Sequence, residues 1–344
     1  MSAVGKRDTR KKKNAKAQSG EDVLIARYFK PIARHPGALG LIDDAALLGV
    51  PPGHELVLTA DAIVGGVHFF NDDPADTVAR KALRVNLSDL AAKGAKPAGF
   101  LLSLALPKGV GNSWLKAFAR GLGADAKRFG CALLGGDTVY TPGPVMVSVT
   151  AIGTLPKGTM IRRTGAKVGD VVVVTGTIGD AALALRLRQD RGAAKRWALS
   201  AAMRKHLAGR YLVPEPRNAL AEALRTHASG AMDVSDGLVG DLGKLCRASG
   251  VAASIEAVRV PLSGAARAAL AAEPKLIDTI LTGGDDFEVV ASVPRGKLAS
   301  LQAAARAAGV RLTEIGRVVT GKGVQFRASD GRAMTFAHGS FSHF

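Results

Sequence analysis

Nine aspartates stand at the edges of apolar runs in this chain: Asp43, Asp44, Asp61, Asp89, Asp137, Asp233, Asp236, Asp285 and Asp286. They fall in six segments, LIDDAALL, LTAD, VNLSDL, LLGGD, MDVSDGL and LTGGDDFEVV, mostly with Gly, Ser or Thr close by. A carboxylate pressed against apolar sequence must be paired, hydrogen-bonded or metal-bound, because bare burial is costly. The formal net charge is +18, yet few of these acids have a Lys or Arg nearby in sequence. Divalent cations are then the natural partners. Six such segments point to a multi-metal phosphate site assembled from the whole fold. The expectation is a local acidic pocket balanced by magnesium rather than by the chain's own lysines.

The apolar runs are short and broken by Gly, as strands of an α/β protein are, and 344 residues suffice for two domains. No run approaches the ~18 residues of a membrane helix. Residues 1–20 differ: seven Lys or Arg and one Asp make them a basic tail, read as disordered, with no apolar stretch to form a secretory signal. Residues 21–344 still carry +12, a field that suits phosphorylated ligands without being specific to them. Cys131 and Cys246 lie far apart in apolar contexts and read as core residues in a reducing compartment.

Periodicity predicts a mixed α/β chain in two halves. The first, 21–155, opens with a capping box at Ser19–Asp22 and a helix bearing Leu24, Ile25, Tyr28, Phe29 and Ile32. Strands follow at 45–48, at 56–60 ending on Asp61, at 100–106, at 131–134 stopping at Gly135-Gly136-Asp137, and at 145–152. Helices are expected over 76–93, with Val78, Leu83, Leu87 and Leu90 inward, and after Ser113. The Gly/Pro/Lys/Thr-rich stretch 153–169 marks the boundary. The second half, 156–344, alternates strands at 171–174, 232–234, 251–260, 287–293 and 310–319 with helices near 181, 199–207, 215–227, 238–245 and 297–308. The Gly316…Gly321-Lys322-Gly323 stretch imitates a phosphate-binding loop. It lacks the Ser or Thr that would hold magnesium and precedes a strand, so it reads as a hairpin turn.

Each aspartate alone reads as a helix cap or turn former; the six segments together read as a site. Asp43 and Asp44 are adjacent, so on an extended chain only one reaches a shared centre. Asn86 and Asp89 share a helix face. Asp233 and Ser235 have the same parity and can face one ligand. A set of Asp, Ser and Thr without a His/Cys cluster suits Mg²⁺ rather than zinc. Arg162-Arg163 could clamp a phosphate or form a solvated pair, and the apolar-flanked His68 reads alone as a core histidine.

The ordered series LIDDAALL, LTADAIVGGVHF, DPADTVARKALRVNLSDLAAKGAKP, LLGGDT, RTGAKVGD, VTGTIGD, MDVSDGLVGDL, TGGDDFEV and the closing SHF resembles the thiamine-monophosphate kinase family. That family belongs to the superfamily of aminoimidazole ribonucleotide synthetase and selenophosphate synthetase. The resemblance runs from about Glu21 to Phe344. It implies a two-domain α/β fold whose N-terminal domain forms a β-barrel across a homodimer, with the active site between the domains. It implies a cytoplasmic enzyme that turns ATP and thiamine phosphate into ADP and thiamine diphosphate. Carried over by position, Asp44, Thr59, Ala60 (through its carbonyl), Asp61, Asp89, Asp137, Asp233 and Asp236 match magnesium ligands, Asp44 and Asp236 being the catalytic acids. Gly136, Asp137, Arg163 and Ser235 match nucleotide contacts. His68 and Asp285 match contacts to thiamine phosphate, and Phe341 and His338 compete for the place of a stacking group.

Three departures stand out. Ile42 precedes Asp43-Asp44 where the family commonly has Gly. Asp285 replaces a Glu and is one methylene shorter. The closing Ser340-Phe341-Ser342-His343-Phe344 is looser than the family pattern. Magnesium-assisted in-line transfer from ATP, without a covalent enzyme intermediate, is the implied chemistry. An aminoimidazole ribonucleotide synthetase-like enzyme is the alternative within the superfamily. Selenophosphate synthesis is disfavoured because no Cys precedes Cys131. A basic RNA-binding protein is the non-enzyme alternative, although aromatics make up 5% of residues and no stacking motif is present.

Overall fold

The computed structural model describes residues 20–340. In the first unit, β1 (His54–Val64), β2 (Lys96–Leu106), β3 (Ala132–Tyr140) and β4 (Met146–Pro156) form a sheet ordered β1-β4-β2-β3. β4 is antiparallel to both neighbours, and β2 is parallel to β3. A short α1 (Gly20–Leu24) precedes the sheet, and α2 (Ala75–Ala92) and α3 (Asn112–Phe129) cover one face. Strand alternation sends Val57, Ile63, Leu102, Val147 and Val149 into a core with Val78, Leu83, Leu87, Leu90 and Phe118. The other face leaves Leu56, Leu58, Leu101 and Val139 open, Leu58 to 63%.

The second unit is a six-stranded sheet of β5 (Val171–Thr175), β6 (Gly230–Val234), β7 (Ala252–Glu256), β8 (Glu288–Val293), β9 (Leu312–Val319) and β10 (Gly323–Arg327). Its order is β10-β7-β9-β5-β8-β6. Around it lie α4 (Asp180–Gln189), α5 (Ala193–Arg196), α6 (Ala201–Leu212), α7 (Ala221–His227), α8 (Leu238–Ser249), α9 (Gly264–Ala272), α10 (Leu276–Thr282) and α11 (Leu298–Ala307). The all-valine β5 shows why both faces are covered. Val172 and Val174 enter one core and Val171 and Val173 the other, as expected of a near-continuous apolar strand.

The two units meet on α2. Its apolar stripe packs on the first sheet, yet Lys81, Arg84, Asn86 and Ser88 are buried too. A helix buried all round lies inside a protein rather than on it. Arg84 shows what occupies the far side: it pairs with Asp125 of α3 at 2.5 Å and with Glu215 of the second unit at 2.8 Å.

Several sequence expectations need correction. Residues 45–48 form no strand; Leu47 is exposed and its amide is held by the Gly37 carbonyl at 2.8 Å, with no neighbouring strand to pair with. β1 runs past Asp61 to Val64, and β3 runs past Asp137 to Tyr140, so both acids sit within strands rather than at their ends. Gly111, not Ser113, precedes the first turn of α3. The Gly321-Lys322 connection is not a hairpin: β9 and β10 both pair with β7, which lies between them. Ser19 of the expected capping box and residues 1–19 of the basic tail lie outside the described residues.

Candidate active site

A cavity of about 910 Å³ opens along the seam between the units, a size typical of ligand sites. Its walls include Asp61 from β1, Lys81 and Asp89 from α2, Arg163, Asp233, Ser235, Asp236, the Gly283–Asp285 loop, His68 and His338. Residues from both units and from widely separated segments therefore meet at one site.

One end is crowded with carboxylates. Asp233 is 4% exposed. Burial first, then the Asp89, Asp241 and Asp61 carboxylates, hold its carboxyl well above the usual range, with Lys93 opposing. Asp61 opens to the cavity, yet desolvation by the cavity walls, with Asp89 and Asp236, pushes it up to about 6. The α2 face predicted for Asn86 and Asp89 meets β1. The Thr59 hydroxyl donates to Asp89 at 2.6 Å, and the Asp61 amide donates to Asn86 Oδ1 at 3.0 Å. Behind them the Lys93 ammonium donates to the Ala231 carbonyl at 2.8 Å. Burial, with Arg163 adding like charge, pushes that ammonium down to about 8.

Ser235 and Asp236 follow β6 and are fixed by the start of α8. Asp241 accepts both their amides, at 3.0 and 2.9 Å. Lys244 bridges Asp236 and Asp241. Gly237 makes the turn possible, with φ +119° and a Cβ position only 2.4 Å from the Thr282 carbonyl oxygen. Asp285 is ion-paired with Lys81 at 2.8 Å, and the His68 ring accepts the Val64 amide at 3.0 Å.

The remaining candidates stand away from the cavity wall. Asp44 lies in the irregular 42–50 segment and is exposed, its amide turned to the Asp43 carboxylate at 2.9 Å. Thr59 lies behind Asp89. Ala60 falls in the same alternation as the open Leu58, and Asp137 pairs in register with Ser103 on that open face. Gly136 must be glycine, since a Cβ there would lie 1.8 Å from the Leu102 carbonyl oxygen. His338 lines the cavity, whereas its rival Phe341 lies outside the described residues. Among the described residues no three acid, His or Cys side chains converge to hold a metal ion.

Lysines also answer two of the acids directly, which corrects the expectation that metal alone balances them. Lys244 takes Asp236 and Lys81 takes Asp285. Lys81, Lys93, Tyr211, Asp241 and Lys244 are the residues that sequence reasoning missed. Asp241 and Lys244 could have been found, being three apart on a helix beginning at the SDGL motif.

Residues 42–155 match the AIR synthase related protein N-terminal domain, and residues 167–329 match the C-terminal domain of the same family. Over 304 residues the chain is 45% identical to the thiamine-monophosphate kinase of Caulobacter vibrioides, covering 87% of this chain and 84% of that one. Over 332 residues it is 40% identical to the thiamine-monophosphate kinase of Escherichia coli strain K12, covering 94% and 98%. The chain belongs to the thiamine-monophosphate kinase family. The crystal structure of the thiamine-monophosphate kinase from Stenotrophomonas maltophilia superimposes with a TM-score of 0.81 at 42% identity, over 92% of this chain and 98% of that one. AaThiL, solved in complex with AMPPCP and TMP, superimposes with a TM-score of 0.74 at 29% identity, over 90% and 97%. Hydrogenase maturation proteins HypE, at 18–22% identity, share the fold. The two-domain α/β architecture is therefore that of the AIR synthase related proteins.

Proposed function

We propose that this protein phosphorylates thiamine phosphate with ATP, giving thiamine diphosphate and ADP. The observation that carries the reading is the single cavity. It brings a crowd of carboxylates and Arg163 together with Asp285, His68 and His338 in one lining. A relative of the same fold was solved with an ATP analogue and TMP together.

The acceptor is a phosphate oxygen that is already ionised at neutral pH, so no strong general base is needed. What the protein contributes is positioning and charge. Arg163 places a fixed positive charge beside the nucleotide phosphates. Asp241 and Lys244 hold the Ser235-Asp236 loop at the transfer point. We read the transfer as direct and in line, without a phosphoenzyme.

The donor chemistry at the acidic end fits magnesium. Its groups offer oxygen alone, and burial first, then their mutual repulsion, holds Asp233 and Asp61 above the ordinary carboxylate range. Because no three acid, His or Cys side chains converge among the described residues, the fit is to a hard cation that takes one or two carboxylates and completes its shell with phosphate oxygens. Asp61, Asp89, Asp233 and Asp236 would be shared among several such ions, one or two carboxylates to each, with Asp44, Thr59, Ala60 and Asp137 added by resemblance. Bound magnesium would supply cancellation of charge between two anionic phosphates.

The open apolar face with Leu56, Leu58, Leu101 and Val139 supports a homodimer closed through the first sheet. Buried free Cys131 and Cys246 are in keeping with the reducing cytoplasm. No helix among the described residues is long and apolar enough to cross a membrane.

Turnover measured separately with thiamine phosphate and with the substrate of aminoimidazole ribonucleotide synthetase tests the proposal. Thiamine diphosphate formed only with ATP and Mg²⁺ is expected. Turnover of the ribonucleotide alone would assign the cavity to the other chemistry.

A further inference from the structure

Lys81 reaches from α2 across the seam to the cavity wall. Its ammonium donates to Asp285 Oδ2 at 2.8 Å and to the His68 carbonyl at 2.9 Å, and it lies 4.0 Å from the centre of the Tyr211 ring. The Lys81 side chain is 3% exposed and that of Asp285 31%. The lysine is thus the buried member of the pair and the carboxylate the open one. An ammonium has three protons. Two are given to oxygens and the remaining side faces the ring, so Lys81 has no donor left for a ligand. Asp285 Oδ1 has no partner among the described residues, and Asp285 lines the cavity.

Asp285 needs such a hold. Its φ is +73°, a conformation that non-glycine residues seldom adopt. Its amide is tied to the Ser235 carbonyl at 2.8 Å, and two residues on the Phe287 amide is tied to Val234 at 2.8 Å. Those bonds fix the backbone and leave the carboxylate free to rotate. Lys81 removes that freedom, and the same ammonium sets the carboxylate relative to the His68 backbone.

We propose that Lys81 is a positioning residue for the phosphoryl acceptor: it orients the Asp285 carboxylate toward the cationic ring of thiamine phosphate without touching the substrate itself. The inference rests on the kinase reading and adds a residue to it. It predicts a selective effect, because the Lys81 ammonium is bound by Asp285 and the His68 carbonyl and pairs with none of Asp61, Asp89, Asp233 or Asp236.

The test uses full-length Lys81→Met, Lys81→Arg, Asp285→Asn and the Lys81→Met/Asp285→Asn double variant, each checked for cooperative melting. In Lys81→Met the KM for thiamine phosphate should rise about 10- to 100-fold, the loss expected for a misplaced orienting group. The KM for ATP should stay within about twofold, since Lys81 bonds none of the side chains read as nucleotide contacts. Lys81→Arg should recover part of the loss. Adding Lys81→Met to Asp285→Asn should cost little more than Asp285→Asn alone, because Lys81 acts through that carboxylate. Additive losses, equal rises in both KM values, or no change in either would overturn the proposal. Should Lys81→Met not fold, Tyr211→Leu removes the ring beneath the ammonium and must show the same KM split. Absence of thiamine diphosphate from wild-type protein would sink the kinase reading and this inference with it.

Discussion

Asp233→Asn should stabilise the ligand-free protein while abolishing its turnover. The side chain is 4% exposed and faces the Asp89, Asp241 and Asp61 carboxylates, with Lys93 as the opposing charge. Asn keeps the size and removes the charge. A buried polar group without adequate partners costs about 1–3 kcal/mol, and a charged one more. Unfolding entropy of roughly 2.1 cal/mol/K per residue gives about 0.7 kcal/mol/K for 344 residues. Relief of about 1–3 kcal/mol then raises the Tm by about 1–4 °C. The sign follows from linkage. Folding raises the Asp233 pKa above its ordinary 3.8, so the folded state holds the proton more tightly and loses stability as pH rises. The gain in the variant is therefore present at pH 7.5 and vanishes toward pH 4, where both side chains are neutral. Scanning calorimetry with chelator across that range measures it. Repeating the scans with Mg²⁺ and an ATP analogue should raise the wild-type Tm and leave the variant's unchanged. A variant less stable than wild type at pH 7.5 without metal, or a gap that ignores pH, would refute the electrostatic account of this end of the cavity.

Three further outcomes follow from other parts of the structure. Because burial, with Asp89 and Asp236, pushes the Asp61 carboxyl up to about 6, the Mg²⁺ concentration for half-maximal turnover should climb as pH falls through that value; a requirement flat from pH 5 to 8 counts against Asp61 as a ligand. Glu288 is fully buried between Arg210, Arg217 and the Thr175 hydroxyl, so Glu288→Gln should lose about 3–5 kcal/mol in urea unfolding, and an unmoved midpoint contradicts the network. Leu58→Glu, on the open sheet face, should give monomers by light scattering with the fold retained. A dimer that survives it does not use this face.

What the sequence made legible was whatever local periodicity encodes. The valines of β5 announced a strand, and α2 announced its stripe of Val78, Leu83, Leu87 and Leu90, all of them buried. The shared parity of Asp233 and Ser235 placed both on one cavity. The failures have a common cause, which is partners supplied from far along the chain. Lys81 meets Asp285 across 204 residues, and no spacing rule connects them. Asp61 and Asp137 looked like strand ends because short polar residues after an apolar run resemble turns. In the folded sheet their strands continue, because β4 pairs beyond Asp61 and β2 beyond Asp137. The β9–β10 connection looked like a hairpin because its length allows one, but β7 fills the space between the two strands.

The central claim is direct phosphoryl transfer from ATP to thiamine phosphate in the seam cavity. Single-turnover quench with ATP labelled at the γ-phosphate tests it most directly, run on wild type and on Asp236→Asn with Mg²⁺ present. Wild type should pass the label to thiamine diphosphate and leave none on the protein when the acceptor is withheld, while Asp236→Asn should form little product. Label trapped on the protein, or full transfer by Asp236→Asn, would contradict the account.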